Sequence, residues 1–238
     1  MNLILLGSLA GLVLAAPTSE RVESLEQMPD LSFGLYSGYL PVNGTSRVLH
    51  YVAALSQQDP ANDPVVFWFN GGPGCSSLIG FTQENGPYIV TDSPGAKFTQ
   101  NPHSWNKEAT VVYLEFPGGV GFSLCENATT GVCGTSDNQT AEDNLVGIVN
   151  FFEMKFPELK ANDLYISGES YAGIYIPYLM HALDQYIESA PAGTFRPNLK
   201  GMMIGNGLTS YKWDCIPAFL DMAVYHNLLD EELHAKLS

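Results

Sequence analysis

Apolar residues fall in short blocks separated by glycine, proline and polar turns, and the spacing inside each block predicts its element. Residues 33–40 and 47–55 read as two strands around the turn Pro41-Val42-Asn43-Gly44, so an antiparallel hairpin opens the sheet. Residues 64–70 and 110–116 are continuous apolar runs, each ending in a glycine- and proline-rich loop. Strands apolar on both faces point to a buried parallel sheet. Over residues 143–156, Leu145, Ile148, Val149, Phe152 and Phe156 recur at helical spacing, and Pro157 stops the pattern. A short strand leads into Ser170, residues 172–187 carry a helix bent at Pro177, and residues 200–207 give one more strand and a loop. The order hairpin, β, β, α, β, α, β builds an open α/β sheet with right-handed crossovers.

Length and composition fit one large domain: 238 residues, 45% hydrophobic. Ten Lys and Arg against 25 Asp and Glu give a net charge of −15, which repels a phosphate backbone and excludes nucleic acid as a partner. Residues 3–16 form an apolar run too short to span a bilayer and are followed by polar Thr18-Ser19-Glu20-Arg21. They read as a signal peptide over 1–16, followed by a polar linker over 17–30, with no membrane attachment after cleavage. The competing reading is a buried first strand or helix, kept open by the absence of Lys or Arg at the start. Sequons at Asn43, Asn127 and Asn138 point to the same secretory route, ending in a lysosome, a vacuole or the exterior. Four cysteines can pair in three ways; Cys125 and Cys133 flank a polar loop and make the easiest bridge. Cys75 and Cys215 then form a second bridge, stay free, or pair with cysteines outside this sequence.

The candidate chemistry centres on Gly168-Glu169-Ser170-Tyr171-Ala172. A serine at a sharp strand-to-helix turn exposes its hydroxyl, and the turn is so tight that the positions two before and two after must be small. The following helix aims backbone N–H groups at developing negative charge. A second donor is expected from the glycine-rich loop Asn70-Gly71-Gly72-Pro73-Gly74, whose amides no side chain obstructs.

These residues also carry a resemblance. The stretch 68–77, Trp-Phe-Asn-Gly-Gly-Pro-Gly-Cys-Ser-Ser, the elbow around Ser170, the loop 117–123 and the stretch 135–141 together resemble the serine carboxypeptidases, the family of carboxypeptidase Y and lysosomal cathepsin A. The resemblance runs in collinear order over roughly residues 25 to 210. It implies an α/β-hydrolase fold, here incomplete, with 31–210 its N-terminal part and 211–238 the start of a helical cap. It implies release of C-terminal residues from peptides at acidic pH through an acyl-enzyme on Ser170, with no cofactor or metal. Gly72 and Tyr171 would supply the oxyanion N–H groups, and Asn70, Glu84 and Glu169, supported by Trp68, would hold the substrate's terminal carboxylate. In the family the triad acid and histidine follow the serine, beyond the cap. None of Asp184, Asp214, Asp221, Asp230, His181, His226 or His234 lies in such a context, so the resemblance implies a chain without its own base. It also implies that Cys75 pairs with a cysteine far downstream. Leu124 stands where relatives carry a tyrosine, and the 125–133 loop reads as an insertion at the rim of the site.

Two other functions compete. A related acyltransferase would use a bound alcohol in place of water at the acyl-enzyme stage, although the carboxylate-binding set favours a peptide. A secreted glycoprotein could bind peptide C-termini without turnover. A further expectation is physical: strands missing beyond residue 204 would leave an exposed edge and poor solubility for the isolated chain. Side-chain preference and oligomeric state are not encoded legibly.

Overall fold

The computed structural model describes residues 16–25, 31–90, 97–125 and 133–237; side chains at 215–217 fall outside that description. The hairpin strands β1 (Leu35–Pro41) and β2 (Arg47–Ala54) pair antiparallel, with Pro41 opposite Val48. The apolar runs become β3 (Val65–Phe69) and β6 (Thr110–Leu114), and the elbow strand is β8 (Leu164–Glu169). Between β3 and β6 lies a two-stranded ribbon of β4 (Tyr88–Val90) and β5 (Phe98–Gln100), and β7 (Leu124–Cys125) caps the end of β2. The last strand is β9 (Leu199–Gly205), and the main order is β1-β2-β6-β3-β8-β9. From β6 to β9 all pairing is parallel, as the continuous apolar runs predict.

Alternation along the strands sorts side chains to two faces. On one, Phe67, Phe69, Val112 and Leu114 pack with Ile148 of α1 (Asp137–Asn150), with Phe151 and Phe152 in the turn that follows it, and with Ile176 and Leu179 of α2 (Ala172–Ser189). On the other, Val66, Trp68, Val111 and Tyr113 pack with Phe81 and Leu78 and with Val22 of the N-terminal segment. Two further helices, α3 (Cys215–Tyr225) and α4 (Glu231–Leu237), close the described chain.

Helix α1 begins six residues before the apolar periodicity does. Ser136 accepts a hydrogen bond from the Gln139 amide and caps it, a Ser-x-x-Gln signature that apolar spacing alone overlooks. The helix then widens into a π turn over Phe151–Lys155 and stops at Pro157. Helix α2 runs on through Pro177 to Ser189.

Cys125 and Cys133 form a disulfide, while Cys75 is exposed and outside any bridge among the described residues. The Cys215 side chain, Asn127 and residues 1–15 of the signal-like run lie outside the described residues. Asn43, in the hairpin turn, and Asn138, in the first turn of α1, are exposed. No helix among the described residues is long and apolar enough to cross a membrane.

Candidate active site

Three chain segments meet at the carboxyl end of β3 and β8, where open α/β sheets place their sites. Ser170 sits between β8 and α2 with φ of 58°, a left-handed conformation that non-glycine residues seldom adopt. The turn is held from both sides: the Ser170 N–H donates to the Gly205 carbonyl (3.0 Å), and the Ser170 carbonyl accepts from the N–H groups of Gly173 (3.0 Å) and Leu208 (2.8 Å). Its tightness explains the small residues around it. A Cβ at Gly168 would lie 2.3 Å from the Phe69 carbonyl oxygen and 2.8 Å from the Ala172 Cβ.

The glycine-rich loop after β3 lies directly on this turn. A Cβ at Gly71 would lie 2.6 Å from the Tyr171 nitrogen and 2.8 Å from the Ser170 Cβ. Gly72 follows with φ of 116°, a conformation that suits glycine. Among the described residues neither the Gly72 nor the Tyr171 backbone N–H donates to another protein group. The loop is tied to α2 by the Gly74 N–H, which donates to the Tyr175 hydroxyl at 2.9 Å. Burial pushes the Tyr175 phenol up to about 12, against the opposing effect of that bond.

Asn70 organises the other side of the site. Its buried side chain uses every hydrogen-bonding position it has. Oδ1 accepts from the Trp68 indole N–H and the Gly80 N–H, each at 2.9 Å, and Nδ2 donates to Glu84 Oε1 at 2.9 Å and Glu169 Oε1 at 3.1 Å. This pattern fixes the amide's orientation, since the reverse would set its carbonyl against two carboxylates. Trp68 is clamped edge-on by Trp105, and a Cβ at Gly80 would lie 2.2 Å from the indole nitrogen. Glu84 reaches the site from a π turn over Gly80–Glu84. Its carboxyl is raised above the usual range, first by burial and then by the nearby charge of Glu169, with the Asn70 bond opposing both.

Beside Ser170 an open depression of about 620 Å³ is lined by Leu208, Asp214, Phe219 and Met222. Asp214 is occupied there by its own turn. It accepts from the Thr209 N–H (2.7 Å), the Ser210 N–H (2.8 Å) and the Thr209 hydroxyl (2.9 Å), which hold its carboxyl below the ordinary range. The imidazole of His234 pairs with Asp221 at 2.9 Å, Asp230 caps α4 through the Leu233 N–H, and His181 lies on α2 facing α1. No imidazole among the described residues hydrogen-bonds the Ser170 hydroxyl. The structure thus brings together Ser170, Tyr171, Gly72, Asn70, Glu84, Glu169 and Trp68, and leaves every downstream histidine elsewhere.

Sequence reading missed a second polar cluster next to this site, built on the buried Glu115. An acid after an apolar strand carries little signal; its partners Ser76 and His50 lie 39 and 65 residues away in the chain.

Comparison with known proteins agrees with this geometry. A model of the family described as serine carboxypeptidase matches residues 25–238. The chain is 41% identical over 236 residues to the lysosomal protective protein of Mus musculus, covering 99% of this chain and 47% of that protein. It is 40% identical over 228 residues to serine carboxypeptidase-like 34 of Arabidopsis thaliana, covering 95% and 45%. Among solved structures it resembles Kex1Δp, a prohormone-processing carboxypeptidase from Saccharomyces cerevisiae. The TM-score is 0.75 at 26% identity, over 92% of this chain and 49% of that one. The chain spans about half the length of the relatives it matches.

Proposed function

Because this chain belongs to the serine carboxypeptidase family, we propose that it provides the nucleophile, oxyanion donors and carboxylate-binding set of an enzyme that removes single residues from peptide C-termini. Ser170 attacks the last peptide carbonyl, and the Gly72 and Tyr171 N–H groups, free of other partners, stabilise the resulting oxyanion. The terminal carboxylate docks against Asn70, Glu84 and Glu169, with Trp68 fixing the amide. The observation that carries this reading is the Asn70 amide bridging two glutamates beside a strained, exposed serine.

Acidic operation follows from the same cluster. Two glutamates and a substrate carboxylate around one amide must share at least one proton. Glu84, already raised, is the group to hold it. As pH climbs through that raised range the proton leaves, the cluster gains a negative charge, and substrate binding weakens.

The triad histidine and acid come, on this reading, from sequence outside these 238 residues. The protein travels the secretory route to a lysosome, a vacuole or the exterior. The apolar run at 3–16, the exposed sequons at Asn43 and Asn138, the disulfide, and the mouse relative's lysosomal name support that. The test is to express the longer protein containing this chain and measure release of C-terminal residues from a blocked dipeptide and from the same peptide with an amidated C-terminus. Hydrolysis of the free acid with at least about tenfold preference over the amide supports the reading. No hydrolysis, or equal rates, overturns it, and tight binding without hydrolysis would leave a peptide-binding glycoprotein in its place.

A further inference from the structure

Glu115 follows β6 with its side chain wholly out of solvent, and every direction around its carboxylate is filled by a donor or a close contact. The Ser76 hydroxyl donates to Oε1, while the Phe122 N–H and His50 Nδ1 lie on Oε2, each at 2.9 Å. A Cβ at Gly121 would lie 1.8 Å from Oε1, so only glycine fits beneath it. Burial works to raise this carboxyl, but the bonds from His50, Ser76 and Phe122 outweigh it and leave the group below the usual range. An ionised Glu115 only accepts, which fixes the proton of His50 on Nδ1, and His50 Nε2 meets the Ser37 hydroxyl at 2.8 Å. Backbone bonds lock the same residues: the Glu115 N–H donates to the His50 carbonyl (2.9 Å), and the Ser123 hydroxyl donates to the Glu115 carbonyl (2.7 Å).

Ser76 belongs to the loop that carries Gly72. That loop holds two positive-φ glycines, Gly72 and Gly74, so its backbone has wide freedom unless it is pinned. Two ties hold it on the side of α2 and β3, the Gly74 N–H to Tyr175 and the Asn70 N–H to the Ser77 hydroxyl (3.3 Å), while the Cys75 N–H to the Gly71 carbonyl (3.1 Å) closes the loop on itself. The tie from the opposite side, toward β2 and β6, is the Ser76 hydroxyl on Glu115. It is charge-assisted and shielded from water, the setting in which a hydrogen bond constrains geometry most.

We propose that Glu115, braced by His50 and Phe122, is a positioning residue that acts through Ser76 to hold the 71–76 loop so that the Gly72 N–H stays aimed at the oxyanion. The inference rests on the carboxypeptidase reading of Ser170 and Gly72. It separates two roles within one loop: Asn70, at its start, binds the substrate carboxylate, whereas Ser76, at its end, sets the donor that matters only as negative charge develops. Loss of the anchor therefore lowers kcat and leaves KM nearly unchanged.

Glu115→Gln turns an amide donor toward the donors that surround Glu115 in a buried site and disrupts more than the anchor, so the decisive variants are at Ser76. In the longer protein, Ser76→Ala is expected to lower kcat by about 10- to 100-fold, part of the 10²–10³ that loss of a whole oxyanion donor costs. KM stays within about twofold, and Ser76→Thr, which restores the hydroxyl, recovers most of kcat. Unchanged kcat in Ser76→Ala, or a rise in KM that accounts for the loss, overturns the proposal. Should the wild-type protein release no C-terminal residues, the carboxypeptidase reading has failed on its own, and the anchor is judged by amide hydrogen exchange in the 238-residue chain. Exchange of the hydrogen-bonded Gly74 and Cys75 amides at least tenfold faster in Ser76→Ala supports it, and unchanged exchange refutes it.

Discussion

The carboxyl end of β3 and β8 and the stretch from β9 to α4 lie on either side of Ser170 and are built in opposite ways. In the first, Trp68, Phe69 and Asn70 are buried, and each polar atom of the Asn70 side chain has two partners. In the second, Met202, Met203, Trp213, Phe219 and Tyr225 are exposed, Tyr225 at 85%, and α4 buries nothing. On the proposed reading the difference separates two halves of the reaction, because the rigid, hydrogen-bonded groups of the first region are the ones proposed to recognise substrate and stabilise the oxyanion. On the other side of Ser170 lies an open depression lined by Leu208, Phe219 and Met222 together with Asn206 and Asp214, and the exposed apolar residues of this stretch form the kind of surface that a partner covers.

The comparison breaks most sharply at the nucleophile. Ser170→Ala is expected to lower kcat of the longer protein by at least about 10⁴-fold while leaving peptide binding intact, read by turnover and by isothermal titration with a product peptide. Next comes Gly71→Ala, whose Cβ would press on the Tyr171 nitrogen. It should cost about 1–3 kcal/mol in urea unfolding and at least about tenfold in kcat, since the overlap is with backbone that cannot swing away. An unchanged midpoint would mean the loop and the elbow are not in the contact described.

Glu84→Gln probes the carboxylate set through pH. The folded carboxyl is raised, so ionisation is favoured more in the unfolded chain, and its contribution to stability is present below the ordinary carboxylate range and lost as pH rises through the raised value. The same titration weakens binding of the substrate carboxylate. KM of the parent protein should therefore climb as pH rises through that range, and the Glu84→Gln profile should be flatter. Profiles of equal slope would remove Glu84 from the set. The smallest effect is expected in the second region. Phe219→Ser, at an exposed position of α3, should change the unfolding free energy of the 238-residue chain by no more than about 0.5 kcal/mol. A larger loss would show that this stretch packs more tightly than its exposure indicates.

How far the sequence foretold the molecule depends on how local each cause is. The elbow was legible because its demand is local: Gly168 and Ala172 stand in near contact across one turn. The parallel strands were legible for a similar reason, since burial on both faces removes polar side chains from 65–69 and 111–114. The start of α1 was not, because its first two turns bury Thr140, Ala141, Asp143 and Asn144 rather than large apolar side chains, and only the Ser136 cap marks them. The ribbon of β4 and β5, three residues each, is too short for periodicity to register. Glu115 was the hardest case. Its meaning lies entirely in groups that the fold, and not the chain order, brings to it.

The central claim is that these residues supply the nucleophile and its binding pockets without the base that activates it. The most direct test is peptide-mapped labelling of Ser170 by a fluorophosphonate, run in parallel on the 238-residue chain and on the longer protein. The account predicts near-stoichiometric label at Ser170 in the longer protein and a rate at least about 10³-fold slower in the 238-residue chain. Equal, rapid labelling of Ser170 in both would contradict it, because the base would then have to lie within these residues.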